Sequence, residues 1–431
     1  MQEVKIEDYE RRPVPQDERK SWRSISLVWI AIGIDLSAML LGAELGGGMD
    51  FYSALLAVFV GSLFLGVLAS FCAYIGSATG LSTSMISRFA FGEYGARIVS
   101  VIIGISLLGW FGVQAGFFAE NAYAAFEHLF GSSISTRWLA LFGGLLMMTT
   151  AIYGYKAIER LSVYSVPFLV ALILLAMGLA INKEGSGALF AATDNTFSFG
   201  AATSLVIGIF VLGAMISPDV SRWAKSRKDA VLAAFFGFFI GNSFMLVMAI
   251  ILSKILDTDD LTYVFFAVGL GIPAILVLTL AQWTTNTNNL YSSSLGFSVV
   301  FRRTSKVLIT IIAGLVATML AVFGIYDRFI TFLSIITMFI APVGGIYTAE
   351  YYLINRKRFS FENEEIYKLN ICALITWVIS TFISYMTTDA PDGLGLFTIT
   401  TVPALDGFFS AFILQILLSY LIKNEKWKVI K

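Results

Sequence analysis

Four places in this sequence set polar or charged side chains inside long apolar runs. The first is Asp35, in Ala31-Ile32-Gly33-Ile34-Asp35-Leu36. A lone carboxylate about ten residues into an apolar run can ligate a substrate or ion or carry a proton. The alternative is a carboxylate buried in a structural pair. Gly33 beside it permits local unwinding. The second is Trp110-Phe111-Gly112-Val113-Gln114. Trp110 and Gln114 are four apart and share one helix face. An aromatic plane with an amide one turn away suits a flat heterocycle, although ordinary packing explains it as well. Glu120 lies further along, for an outer vestibule or a partner helix. The third is Gly208-Ile209-Phe210-Val211-Leu212-Gly213, closed by Ser217-Pro218-Asp219. Glycines flanking an aromatic before a proline fit a discontinuous helix, and equally a close helix contact. Asp219 and Arg222 are placed to pair at i, i+3. The fourth is Gln282-Trp283-Thr284-Thr285-Asn286-Thr287-Asn288-Asn289-Leu290-Tyr291-Ser292-Ser293-Ser294, polar at almost every position between two apolar runs. Thr284 and Thr285 offer hydroxyl oxygens to a hard cation such as sodium, and Asn286 and Asn289 offer donors and acceptors to a polar ligand. The alternative is a helix that only lines a water-filled cavity.

The elements that position these residues follow from composition. Of 431 residues 57% are apolar and 13% charged, against about 25% charged in an average soluble domain. Lysines and arginines equal aspartates and glutamates at 29 each, which argues against a nucleic-acid partner, since that needs a basic face. Two cysteines and one histidine, His128, exclude a disulfide framework and a multi-histidine metal site. What remains is an all-α integral membrane protein whose partner is the lipid bilayer. An apolar stretch of about 20 residues crosses the hydrocarbon as a helix. Twelve such stretches are expected, over 25–45, 53–78, 99–126, 136–154, 161–181, 199–217, 229–253, 264–296, 307–325, 329–352, 369–387 and 403–422. They do not alternate as barrel strands would.

Residues 1–24 and 423–431 read as cytoplasmic tails, the first lacking the layout of a cleaved signal. With both termini inside, 25 lysines and arginines fall on the cytoplasmic side and four (Arg137, Lys183, Lys254 and Arg328) outside. That is a strong positive-inside bias, and it predicts a multi-pass protein of the cell membrane. The loops are too short for a soluble domain. No Ser/His/Asp set, HExxH, P-loop or dinucleotide glycine pattern occurs, so no enzyme is expected, and no cofactor beyond a coupling ion. Residues 25–181 (five spans) and 199–352 (five more) have similar lengths, with Gly33 matching Gly208 and Trp110 matching Trp283 at offsets of 175 and 173. An odd number of spans per unit inverts the second copy, giving a five-plus-five inverted repeat with two extra spans over 369–422.

At these residues the sequence resembles the nucleobase–cation symporter family, most closely its bacterial cytosine permeases. The resemblance is carried by Pro13-Val14-Pro15-Gln16, Gly109-Trp110-Phe111-Gly112-Val113, Gly241-Asn242-Ser243, Trp283-Thr284-Thr285-Asn286 with Asn288, Leu290-Tyr291, Leu295-Gly296-Phe297 and Ala341-Pro342-Val343-Gly344-Gly345. It runs from about residue 13 to 352 and fades beyond. The resemblance implies a leucine-transporter-like fold and a heterocycle held between Trp110 and Phe210, beside Gly208. It places an amide at Gln114, as in hydantoin-transporting relatives. It implies sodium held by Ala31, Ile34, Ala281, Thr284 and Thr285, with Asn286 and Asn289 toward the substrate. Two positions depart from the cytosine permeases. Leu212 replaces a serine, and Asp35 replaces an apolar aromatic. The expected function is import of a cytosine- or purine-like base by sodium symport. The alternatives are proton-coupled symport of a hydantoin, allantoin or hydroxymethylpyrimidine-type compound, with Asp35 as proton carrier, and a passive channel.

Overall fold

An apolar run in hydrocarbon has no water to satisfy its backbone, so it closes its hydrogen bonds internally as a helix. The computed structural model describes residues 8–131, 134–191, 193, 196–258, 265–360, 366–422 and 429–430. Lys5, Lys423, Lys426, Lys428 and Lys431, counted in the charge split, lie outside the described residues. Among the described residues the chain is all-α apart from a short antiparallel pair, Leu369–Asn370 (β1) with Val429–Ile430 (β2). Its helices are α1 Trp22–Gly33, α2 Leu36–Gly48, α3 Phe51–Thr79, α4 Thr83–Phe130, α5 Thr136–Ile152, α6 Tyr155–Glu184 and α7 Phe199–Met215. They continue as α8 Pro218–Ser221, α9 Arg227–Leu256, α10 Gly271–Val300, α11 Lys306–Val322, α12 Phe329–Ala349, α13 Ile371–Thr387 and α14 Pro403–Leu421. Among the described residues α3, α4, α6, α9 and α14 are each long and apolar enough to cross a membrane, and α1 with α2 qualifies as one bent pair. Helices α5, α7, α11 and α13 are apolar and 17 residues long, the lower limit for spanning. Phe59, Phe71, Ile105, Phe142 and Phe382 stay exposed, an outer surface suited to lipid.

Two helix breaks shape the middle of the molecule. Helix α1 ends at Gly33, Ile34 and Asp35 leave helical geometry, and α2 starts at a bend of 58°. Gly33 lies against the backbone of α9, where an added Cβ would sit 2.7 Å from the Gly241 carbonyl carbon. The second break differs from expectation. Helix α7 runs unbroken through Gly208 and Gly213 and ends at Met215, with Pro218 opening α8. Proline, lacking an N–H, sets the break where glycine does not. Gly46-Gly47-Gly48, beyond the span expected over 25–45, is the last turn of α2. There Gly42 and Gly46 let α2 approach the backbone of α9, as small residues do between membrane helices. The stretch between the spans expected over 53–78 and 99–126 is a turn at 80–82 followed by the start of α4, which bends at Gly92, where φ is 78°.

One face of the bundle carries the N-terminal segment. Val14 N–H donates to the Gly80 carbonyl at the end of α3 (3.0 Å), and Lys20 pairs with the chain after α8. Asp8 accepts from the Tyr155 N–H at the start of α6 (3.0 Å) and is ion-paired to Lys306 at the start of α11. Arg11 donates to the Ser298 carbonyl near the end of α10 (3.0 Å). The expected pairing of Asp219 with Arg222 takes another form. The Asp219 carboxylate accepts from the Thr83 N–H at 2.7 Å, capping α4. The Arg222 guanidinium donates to the carbonyls of Asp219 (3.2 Å), Asp8 (2.8 Å) and Tyr9 (2.8 Å) and to the Tyr291 hydroxyl (2.7 Å). At the other end, Glu120 accepts from the Tyr326 hydroxyl at 2.7 Å.

Candidate functional site

The break between α1 and α2 positions the first group of site residues. Asp35 is the N-cap of α2, and its Oδ1 accepts from the Ala38 N–H at 2.8 Å. A carboxylate there satisfies an orphan donor and faces the positive end of the helix dipole. The Ser37 hydroxyl is 2.9 and 3.0 Å from the two carboxylate oxygens, and Gln114 Nε2 donates to Oδ2 at 2.8 Å. Only 1% of Asp35 is exposed and none of Gln114. The carboxylate is thus engaged by the protein itself. Gln282, at the start of the polar stretch of α10, braces the arrangement: its Nε2 donates to the backbone carbonyl of Gln114 at 3.0 Å.

A cavity lies beside this cap. It is small, about 40 Å³, below the ligand-pocket range of roughly 300–1,000 Å³, so a heterocycle is admitted only as its walls part. Helix α4 presents Leu107, Trp110 and Gln114 to it, spaced along one helical face. Helix α7 presents Phe210 and Gly213, α1 presents Trp29, and α10 presents Thr285, Asn288 and Asn289. Edge-on contacts fix the Trp110 ring, with Phe329 at 5.4 Å and Phe332 at 6.2 Å between centroids. Three buried polar atoms of lining residues have no partner among the described residues: Trp29 Nε1, Gln114 Oε1 and Asn288 Oδ1. An unsatisfied buried polar atom costs about 1–3 kcal/mol. A small heterocycle with both donors and acceptors on its rim matches that set, and the aromatic walls suit its faces.

A cluster of oxygens sits next to the cavity. Thr284 Oγ1 lies 3.1 Å from the Ala31 carbonyl and 2.9 Å from that of Ala281. Thr285 Oγ1 lies 3.2 Å from the carbonyls of Ile32 and Ala281. Ala31 and Ile32 occupy the last turn of α1, whose carbonyls have no intrahelical partner. One hydroxyl proton per threonine cannot serve two carbonyls at once. The cluster is therefore rich in lone pairs at the negative end of a helix, a donor set that fits a monovalent hard cation.

The structure brings together Asp35, Trp110, Gln114, Phe210 and Asn289 around the cavity, and Ala31, Ala281, Thr284 and Thr285 in the oxygen cluster. Three expected residues stand apart. Ile32, not Ile34, accepts from Thr285; Ile34 lies in the link between α1 and α2. Asn286 points away from the cavity, its Nδ2 donating to the Phe111 carbonyl at 3.1 Å, and it reaches the site only through Asn289. Gly208 does not line the cavity, and a Cβ there would meet nothing within 4 Å. Sequence reasoning missed Trp29, Ser37 and Gln282 as site residues and took Asn288 only as part of a motif. For Trp29 the available signal was its i, i+3 spacing to Ile32 on the helix that leads to Asp35.

Comparison with known proteins follows the same lines. Residues 13–414 match the model of a family described as permeases for cytosine/purines, uracil, thiamine and allantoin. The cytosine permease of Escherichia coli strain K12 is 35% identical over 371 residues, covering 85% of this chain and 86% of the relative. The hydantoin permease of Microbacterium maritypicum is 23% identical over 409 residues, covering 85% and 81%. Among solved structures, Mhp1, a nucleobase-cation-symport-1 family transporter in a closed conformation with bromovinylhydantoin bound, superposes with a TM-score of 0.80 at 17% identity, covering 96% of both chains.

Proposed function

The chain belongs to the family of permeases for cytosine/purines, uracil, thiamine and allantoin, and from that premise we propose that it imports a nucleobase-like heterocycle by symport with sodium. It is a multi-pass membrane transporter and not an enzyme. The observation that carries the finer reading is the oxygen cluster of Ala31, Ile32, Ala281, Thr284 and Thr285 beside the cavity of Trp110, Gln114 and Phe210. Thr285 belongs to both, since its residue lines the cavity and its hydroxyl joins the cluster. A cation there ties the end of α1 to α10 and orders one wall of the cavity, so ion and substrate strengthen each other's binding reciprocally. Asp35 as a proton carrier is the second reading. It finds less support, because the carboxylate is already held by Ala38, Ser37 and Gln114.

The architecture proposed with it is twelve spans. Residues 25–181 and 199–352 form two inverted units, 369–422 add two helices, and 1–24 and 423–431 are cytoplasmic tails in the cell membrane. In support, the helix pair that opens each unit is broken (α1 with α2, α7 with α8), and α4 packs along α10. The face that carries the N-terminal segment also holds Arg11, Arg19, Lys20, Arg222, Lys225, Arg302 and Lys306, as a cytoplasmic face requires. Alternating access then proceeds by movement of one unit against the other around the fixed site.

The test is uptake of radiolabelled cytosine, uracil, hypoxanthine and hydantoin into proteoliposomes. An inward sodium gradient is expected to drive one of them above its equilibrium level, with choline in place of sodium abolishing the effect. Accumulation driven by a proton gradient alone rejects sodium coupling. Equilibration without accumulation under either gradient rejects symport.

A further inference from the structure

The side-chain amide of Gln114 is held in one orientation by two acceptors. Its Nε2 lies 2.8 Å from Asp35 Oδ2 and 3.4 Å from Ser37 Oγ. The two acceptors are themselves 3.0 Å apart, so both contacts fall on one side of the NH₂ group and share one of its hydrogens. Asp35 cannot easily turn to release them, since its Oδ1 caps α2 through the Ala38 N–H and the Ser37 hydroxyl bridges its two oxygens. The side-chain oxygen of Gln114 is then left buried, without a partner among the described residues and on the cavity wall.

From this geometry we propose that Asp35 and Ser37 are specificity-determining positioning residues that make Gln114 an obligate hydrogen-bond acceptor, so that the transporter selects neutral heterocycles presenting a ring or exocyclic N–H at that edge. The proposal rests on the reading of this cavity as the substrate site. An unconstrained glutamine is amphoteric and accepts a ligand C=O as readily as an N–H by turning over. Here, turning the amide would set its carbonyl oxygen against the Asp35 carboxylate, two acceptors with no hydrogen between them. A substrate edge carrying a lone pair or a methyl group at this place leaves the buried Gln114 Oε1 unpaired. Sites built to bond a substrate N–H reject analogues that lack it far more strongly than apolar pockets reject a methylene.

The experiment measures binding of cytosine and uracil, each beside its mono-methylated derivatives at every N–H, to the full-length protein in detergent with sodium. In the parent protein one methylated derivative is expected to bind roughly 10- to 100-fold more weakly than its base, the cost of one unsatisfied buried acceptor. In Asp35→Asn the cap is retained, because asparagine is an equally good N-cap. The new amide donates to Gln114 Oε1 when that side chain turns over, so the discrimination is expected to fall to within a few-fold. Ser37→Ala, which leaves Asp35 in place, is expected to shift the ratio in the same direction by less. If both variants bind the parent base and keep the full discrimination, Gln114 is not oriented by Asp35 and Ser37, and the proposal fails while the substrate site stands. If the parent protein binds no base, and uptake shows no accumulation, the reading of the site itself fails.

Discussion

At the scale of single residues, Thr285 is where ion and substrate meet. Its hydroxyl is 3.2 Å from the carbonyls of Ile32 and Ala281, and the residue lines the cavity. Thr285→Val keeps the β-branched shape and removes the oxygen. Loss of one hydrogen-bonding oxygen to a charged partner costs about 1.5–3 kcal/mol. The sodium concentration for half-maximal uptake is therefore expected to rise roughly tenfold or more, with sodium-independent substrate binding changed by only a few-fold. Equal weakening of substrate binding with and without sodium would count against a cation at this place. Much of this site was legible in the sequence. Trp110 and Gln114 are one turn apart, Thr284 and Thr285 are adjacent hydroxyls in an apolar chain, and Asp35 is conspicuous among so few charges. The choice between Asn286 and Asn288 was not legible. From Gln282 to Ser294 nearly every position is polar, so no apolar stripe marks which face turns to the cavity, and helical rotation is set by contacts such as Asn286 with Phe111.

At the scale of elements, the sequence located the interruption at Gly33 and misplaced the second one, which falls before Pro218 and not at Gly208. Apolar length marks a helix in a bilayer because the alternatives leave backbone groups unsatisfied. A break is a local contest among glycine, proline, caps and neighbouring backbone. Gly33 and Gly208 occupy matching places in the proposed repeat, yet their surroundings differ. At Gly33 a Cβ would press on the backbone of Gly241 and Asn242 at 2.7–3.0 Å. At Gly208 the helix is continuous and the space open. Gly33→Ala is accordingly expected to force α1 away from α9, lowering the thermal unfolding midpoint of the purified protein and reducing uptake. Gly208→Ala is expected to leave the midpoint unchanged or slightly raised, since alanine is the better helix former by about 1 kcal/mol. Equal destabilisation by the two substitutions would mean that Gly208 serves a hinge that this packing does not display.

At the scale of the whole molecule, the N-terminal segment joins helices far apart in sequence, and composition alone could not have placed it. Asp8 and Lys306 are 298 residues apart, and both are almost fully buried. Around them Tyr155 N–H, the Arg222 guanidinium and the Tyr291 hydroxyl link α6, α8 and α10 to the same stretch of chain. The pair is a strong test of that closure because its two halves are unequal when separated. Removing one partner of a buried ion pair leaves the other charge desolvated, at roughly 3–5 kcal/mol, whereas neutralising both is often nearly neutral. Lys306→Met keeps the apolar stem over the Tyr291 ring, which the ammonium now faces at 4.5 Å, and strands the Asp8 carboxylate. It is expected to lower the unfolding midpoint in detergent clearly. Asp8→Asn combined with Lys306→Met is expected to recover most of the loss, because the amide oxygen still accepts from the Tyr155 N–H. A lowered midpoint in the single variant with no recovery in the double would assign the lysine's contribution to its packing on Tyr291. An unchanged midpoint in the single variant would show that the segment leaves the bundle in solution, and that the helices hold this face closed without it.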